Sequence, residues 1–268
     1  MKTVGMVACS NPLGPECRAE IRALTAFLER TGRRVAESRC MEALTGREKA
    51  GELMRLFACP DVTDICDISG GDMANEVLDF LDFEAIRRSR AVFWGYSDLT
   101  TLLNAIYAKT GKAGVLYQIR NLVGERQVLQ QRRFLAGEEL FRPECRMVQG
   151  EQLRGIVVGG NIRCFLKLVG TPYFPDLQDK VLLLEARSGQ VPQMVTYLAQ
   201  LRSCGVFGKI RGVLLGTFSE MEARGCTPDM TALVRSFVGA DLPIAKTAEI
   251  GHGADARAIW IGKEIVIN

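Results

Sequence analysis

Three features of this 268-residue sequence predict an α/β fold with mainly parallel sheets. Short apolar runs (TVGMVAC, VTDICDI, AVFWG, KVLLLEA) alternate with segments of helix length, the pattern of βαβ units. Helix-start signals stand between them: Pro15 at a first turn, and Thr45-Gly-Arg-Glu48 with capping-box spacing. A charged, Gln-rich stretch from Gly124 to Gly150 then interrupts the alternation, which resumes afterwards. The expected organisation is an N-terminal α/β domain over 1–123, an interdomain connection over 124–150 and a smaller C-terminal α/β domain over 151–268.

In chain order, TVGMVAC reads as the first strand. Ile21, Leu24, Phe27 and Leu28 follow at helical spacing. Leu53, Leu56 and Phe57 continue the helix that the capping box opens. VTDICDI reads as a strand, GDMANEVLDFLD as a helix, AVFWG as a strand, TLLNAIYAK as a helix and GVLYQ as a strand. In the second half RGIVVGG, KVLLLEA and RGVLLGTF are strands, with helices through CFLKLVG and MVTYLAQL. Asn161 in VVGGN is placed to cap a helix start. The C-terminal RAIWIGKEIVIN reads as a hairpin turning at Gly262-Lys263.

Composition removes several function classes. Hydrophobic residues make up 47% and charged residues 24%, and the net charge is +3. That charge is too small to argue for nucleic acid or an anionic membrane. No apolar run approaches the roughly 18 residues of a membrane span, and the N-terminus reads as a strand rather than a signal peptide. The nine cysteines include no CxxC and have one histidine for company, so no metal site is expected. Cysteines scattered through apolar stretches fit a reducing cytoplasm.

Four features carry possible chemistry. In FWGYSDLT, Ser97 stands on a turn between a buried strand and a helix. Ser97 and Asp98 are helix-cap residue types; a serine at such a corner also suits a nucleophile. A serine nucleophile needs a base, most often histidine. The single histidine, His252, lies between two glycines in IGHGAD, which permit close backbone approach. A Ser–His pair further needs a carboxylate to hold the imidazole. Glu185 ends the apolar run VLLLEA, at the strand end where α/β folds place their sites. Gly70-Gly71 lacks the spacing of a nucleotide fingerprint, but its backbone N–H groups could stabilise an oxyanion.

Taken in order, VGMVACSNP, SGGDMANEVLDFLDFEAI, GYSDLT, GGN with LVGTPYFPD, LLLEA and GHG resemble the LD-carboxypeptidase family of serine peptidases. That family includes murein tetrapeptide carboxypeptidases and microcin C immunity hydrolases. The resemblance implies Ser97 as nucleophile, Glu185 and His252 as its triad partners, and the N–H groups of Asp98 and Gly71 as the oxyanion hole. It implies an N-terminal domain like class I glutamine amidotransferases, a cytoplasmic homodimer, and no metal or cofactor.

Under this resemblance the expected substrate is a small peptide, a murein tetrapeptide losing its terminal D-Ala in cell-wall recycling. The alternative substrate is a peptidyl or aminoacyl nucleotide, for which Tyr117 and Trp260 could offer an aromatic platform. A non-catalytic binding protein on the same scaffold is the reading from another class. Arg120 and Arg187 are candidates to hold the substrate carboxylate, with solvated surface as the alternative for both. The chain departs from many members after the glycine pair, where it has Asp72-Met73-Ala74-Asn75. It is also short between Ser97 and Glu185, where YQIRNLVGERQVLQQRRF stands.

Overall fold

The computed structural model describes residues 2–39 and 42–268, so Cys40 lies outside the described residues. The first sheet contains β1 (Thr3–Val7), β2 (Arg34–Glu37), β3 (Val62–Asp67), β4 (Val92–Gly95) and β5 (Gly114–Leu116), all parallel, in the order β5-β4-β3-β1-β2. Around it pack α1 (Arg18–Arg30), α2 (Gly46–Ala58), α3 (Phe83–Arg88) and α4 (Thr100–Thr110). The spacing of Ile21, Leu24, Phe27 and Leu28 does what it predicts, burying one stripe of α1. The capping box at Thr45 and Glu48 forms with both of its hydrogen bonds.

A helix, α5 (Gln127–Ala136), follows. The second sheet comprises β6 (Arg146–Gln149), β7 (Leu153–Asn161), β8 (Lys180–Ala186), β9 (Gly212–Phe218) and β10 (Ile244–Lys246). Strands β7 to β10 run parallel, and β6 closes the edge antiparallel to β10. The helices are α6 (Ile162–Leu166), α7 (Val191–Ser203), α8 (Ser219–Ala223) and α9 (Met230–Val238). In β8 every residue after Lys180 is buried, as a central parallel strand covered on both faces requires. Asn161 caps α6, its side chain accepting from the Cys164 N–H.

The two sheets share one apolar core. Leu102, Leu103 and Ile106 of α4 cluster with Phe93 and Ile65 of the first sheet and with Val157, Leu183 and Leu214 of the second. Within this seam Asn104 forms a double hydrogen bond with Gly159, donating to its carbonyl at 2.9 Å and accepting from its N–H at 2.8 Å. Thr100 Oγ1 accepts from the Asn161 N–H at 3.0 Å. The start of α4, directly behind Ser97, is thereby bonded to the second sheet.

Two expectations are corrected. The C-terminal strands β11 (Ile259–Ile261) and β12 (Glu264–Ile267) do not form a hairpin. β11 joins the first sheet beside β5 and β12 joins the second beside β7, both antiparallel. Each sheet offers an open edge there, and Val157 bonds to Gly262 and Lys263 between the two strands, holding the crossing. Segment 73–81 is a tight 3-10 turn over Ala74–Phe80 rather than an α-helix. Its first N–H is spent on the Asp98 carboxylate, and its end runs into the extended Leu81. The stretch expected as a connection holds α5 and the edge strand β6, so sheet membership does not follow the boundaries at 123 and 150.

Replacing Asn104 with Leu keeps the apolar seam but leaves a buried N–H and C=O of Gly159 unpaired, at roughly 1–3 kcal/mol per group. The expected result is a lower urea midpoint with an unchanged denaturant slope.

Candidate active site

Ser97 follows β4 and has φ 52, the left-handed region that a serine seldom occupies. Tyr96 before it is fully extended, and the Leu99 N–H already returns to the Tyr96 carbonyl at 2.9 Å. The chain therefore turns from strand to helix within two residues, and the half-buried Ser97 takes the strained position. The capping alternative is overturned, because α4 starts without any side-chain cap. Asp98, completely buried, points its carboxylate elsewhere. It accepts from Ser10 Oγ at 2.6 Å and from the Ala74 N–H at 2.8 Å, and it pairs with Lys167 at the end of α6.

The glycine pair follows β3 and lies beside this carboxylate. Gly71 has φ 134, and a Cβ there would come within 2.2 Å of the Asn11 side chain, so only glycine fits. Its carbonyl accepts from Arg163 at 3.3 Å, Asp72 pairs with the same arginine, and the Asp72 carbonyl accepts from Lys167 at 2.8 Å. Neither the Gly71 nor the Asp98 N–H has a hydrogen-bond partner among the described residues.

Glu185 lies at the end of β8 and His252 in the loop after β10. His252 Nδ1 and Glu185 Oε2 are 2.7 Å apart, with side chains only 6% and 2% exposed. A carboxylate can only accept, so the proton between them belongs to Nδ1. The ring's Nε2 is buried and has no partner among the described residues. Gly251 makes the approach possible: it has φ 141, and a Cβ would sit 2.0 Å from Thr217 Oγ1. The Tyr96 ring lies 5.1 Å from the imidazole, centroid to centroid.

Ser97 and Glu185 line one small cavity together with Tyr96, Gln118 and Gly251. Beside it, a cleft of about 260 Å³ is lined by His252, Tyr96, Glu20, Arg120 and Arg187, among others. Both arginines singled out from the sequence therefore face the histidine cleft. Arg120 is held by Glu20 at 3.1 Å, whereas the exposed Arg187 has no acidic partner among the described residues. Tyr117 lines the small cavity, but Trp260 lines neither, since its ring stacks on Phe141 at 5.2 Å. Cys164, near Asp98, is pushed up to about 12, chiefly by burial, and stays an inert thiol.

Sequence reasoning missed four groups. Tyr96 stood in the quoted block but was not singled out. Arg163 and Lys167 lie four residues apart, a spacing that places them on one side of α6, and nothing local marks what they reach. Glu249 anchors the histidine loop. It accepts from the Glu144 N–H at 2.7 Å and pairs with Arg257 at 2.9 Å and Arg133 at 3.3 Å. Burial opposes its charge, but these hydrogen bonds and the two arginines outweigh burial and hold its carboxyl below the usual range.

Residues 4–118 match the LD-carboxypeptidase N-terminal domain and residues 154–267 the LD-carboxypeptidase C-terminal domain. The chain is 26% identical over 290 residues to the probable murein peptide carboxypeptidase of Bacillus subtilis, covering 99% of this chain and 88% of that protein. It is 23% identical over 314 residues to the microcin C7 self-immunity protein MccF of Escherichia coli, covering 99% and 90%. A structure of MccF in complex with aspartyl sulfamoyl adenosine superposes with a TM-score of 0.88 at 21% identity, covering 100% of this chain and 93% of that one. Muramoyltetrapeptide carboxypeptidase from Oxalobacter formigenes superposes with a TM-score of 0.82 at 20% identity, covering 99% and 94%.

Two outcomes are expected of the anchoring residues. Asp98→Ala strands the partly buried Lys167 and should lower stability by about 3–5 kcal/mol in urea titration. Glu249 has a lowered folded-state pKa, so its contribution is complete above the unfolded value of about 4.3 and fades as pH falls through the folded one. The stability gap between wild type and Glu249→Gln should be full at pH 7 and narrow progressively as pH falls below about 4.3.

Proposed function

Because this chain belongs to the LD-carboxypeptidase family, we propose that it is a serine carboxypeptidase cleaving the terminal L,D amide of murein tetrapeptides, with Ser97, His252 and Glu185 as its triad. The observation that carries this reading is the buried His252–Glu185 pair, which leaves Nε2 without a partner among the described residues, its ring 5.1 Å from that of Tyr96, the residue before the strained Ser97. His252 takes the Ser97 proton as Oγ attacks the amide carbonyl, and Glu185 stabilises the imidazolium. The N–H groups of Gly71 and Asp98 receive the oxyanion; each such donor is worth roughly 3–4 kcal/mol. His252 then protonates the leaving D-alanine, and water attacking with the same base releases the acyl group. Arg187 or Arg120 holds the substrate carboxylate by paired hydrogen bonds.

The reading calls for no metal or cofactor and places the protein in the cytoplasm, in cell-wall recycling, as a homodimer. No helix among the described residues is long and apolar enough to cross a membrane. A second reading, hydrolysis of an aminoacyl or peptidyl nucleotide, is favoured by the half-buried Tyr96 ring in the cleft, which can stack on a base. The relation to MccF supports the same alternative.

Incubation with murein tetrapeptides, followed by mass spectrometry, should reveal loss of one alanine. Cleavage of an aminoacyl sulfamoyl adenosine instead would favour the second reading. Ser97→Ala should fold normally and lose activity on the order of 10⁶-fold, because triad members act as a unit. It should also lose labelling by a fluorophosphonate probe. A folded wild type that neither labels nor turns over would leave a non-catalytic binding protein.

A further inference from the structure

The loop that carries His252 is short of side chains able to hold it. Gly251, Gly253, Ala254 and Ala256 contribute none beyond a methyl group. Its neck is closed by the Arg257 N–H donating to the Glu249 carbonyl at 2.6 Å. Within the loop, the Ala256 N–H returns to Gly253 at 3.1 Å. Beyond these, the loop is held from outside.

Four successive carbonyls after the histidine each accept a hydrogen bond from a side chain of residues 121–133. Asn121 donates to Gly253 at 3.4 Å. The amide of Gln130 donates to both Ala254 at 2.8 Å and Ala256 at 2.9 Å. Arg133 donates to Asp255 at 2.7 Å, and its other nitrogen pairs with Glu249 at the neck.

Gln130 is completely buried and Arg133 nearly so, and they lie three residues apart on one side of α5. The remaining amide atom of Gln130, its oxygen, accepts from the Tyr117 hydroxyl at 3.0 Å. Burial pushes the Tyr117 phenol up, which keeps it a donor. A flipped amide would set oxygen against two carbonyls, so the network admits one orientation. Tyr117 itself lines the cavity of Ser97 and Glu185.

We propose that Gln130, seconded by Arg133, is the positioning residue of His252: α5 is the template on which the histidine loop is shaped, so that Nε2 faces Ser97. The proposal rests on the reading of His252 as the base. It assigns a role to α5, which lies between the two matched domains. A displacement of about 1 Å at a reacting group can cost 10²-fold in rate, and a loop rich in glycine and alanine has few side chains of its own to resist one.

The test compares Gln130→Met, which keeps the volume and loses both donors, with Gln131→Met. The second variant removes a hydrogen bond of the same helix, to the Leu122 carbonyl, without touching the histidine loop. Two readouts are taken. One is kcat and KM on the substrate identified above. The other is the Nδ1–H proton of the one histidine, observed by NMR in protein carrying ¹⁵N-histidine, which needs no turnover.

Gln130→Met should lose about 10²-fold in kcat with KM within about threefold, and the Nδ1–H signal should shift or broaden. Gln131→Met should leave both as in wild type. Where Gln130→Met does not fold, Arg133→Met should give the same pattern. A folded Gln130→Met with wild-type kcat and an unmoved histidine signal overturns the proposal while the serine mechanism stands. A moved signal in a chain whose wild type neither labels nor turns over sustains the positioning and removes the catalytic reading.

Discussion

A buried charge must be paired, and in this chain the pairing of Asp98 determines how the two halves meet. Its carboxylate is wholly inside the protein, and the cation that answers it, Lys167, comes from the other domain. Separating the domains would leave the carboxylate without its counter-charge, a loss of several kcal/mol. Because Asp98 directly follows Ser97, the same peptide that joins the domains also forms the strained corner. Ser10 and Ala74 donate to the same carboxylate. The ends of β1, β3 and β4 are thus gathered around one anion.

From that junction the rest of the site follows. The order β5-β4-β3-β1-β2 reverses direction at β1, and the loops leaving β1, β3 and β4 crowd the same end of the sheet. This is where open α/β sheets hold their ligands. The second sheet turns the ends of its parallel strands to the same place, bringing Glu185 from β8 and the histidine loop after β10. Neither half contains both the serine and its partners. The Asn104–Gly159 double bond and the shared apolar core keep the halves in register. The glycine-pair turn belongs covalently to the first domain and is held by Arg163 and Lys167 of the second.

What could be read from the chain was set by local rules. KVLLLEA announces a buried strand because Val181 to Leu184 form an unbroken apolar run, and Glu185 stands out as the charge that follows it. A single histidine between glycines leaves no competitor for a base. Thr45 and Glu48 satisfy each other within one turn, so their spacing alone foretells a helix start. The places where local rules left alternatives open or pointed elsewhere have a common cause. Ser97 and Asp98 have the chemistry of helix caps, and Ser10, Ala74 and Lys167, each more than 20 residues away, divert Asp98 from that use. IWIGKEIVI has the pattern of a hairpin, but open edges on two separate sheets draw its strands apart. Trp260 has the chemistry of a base platform, yet its ring is spent on Phe141. Residues 127–136 have a weak apolar period because α5 buries a glutamine and an arginine, which a hydrophobic pattern cannot register.

By itself the sequence determined the alternation of strands and helices, the family blocks and the residue types available for catalysis. Each depends on neighbours a few positions apart or on composition. The tertiary structure alone decided which polar groups are spent on one another and which are left free. Gln130, Arg133 and Glu249 look like ordinary surface residues until hydrogen bonds to partners more than 100 positions away in sequence tie them to the histidine loop and its neck. Hydrogen bonds and buried charges are satisfied in space, and distance along the chain carries no trace of that.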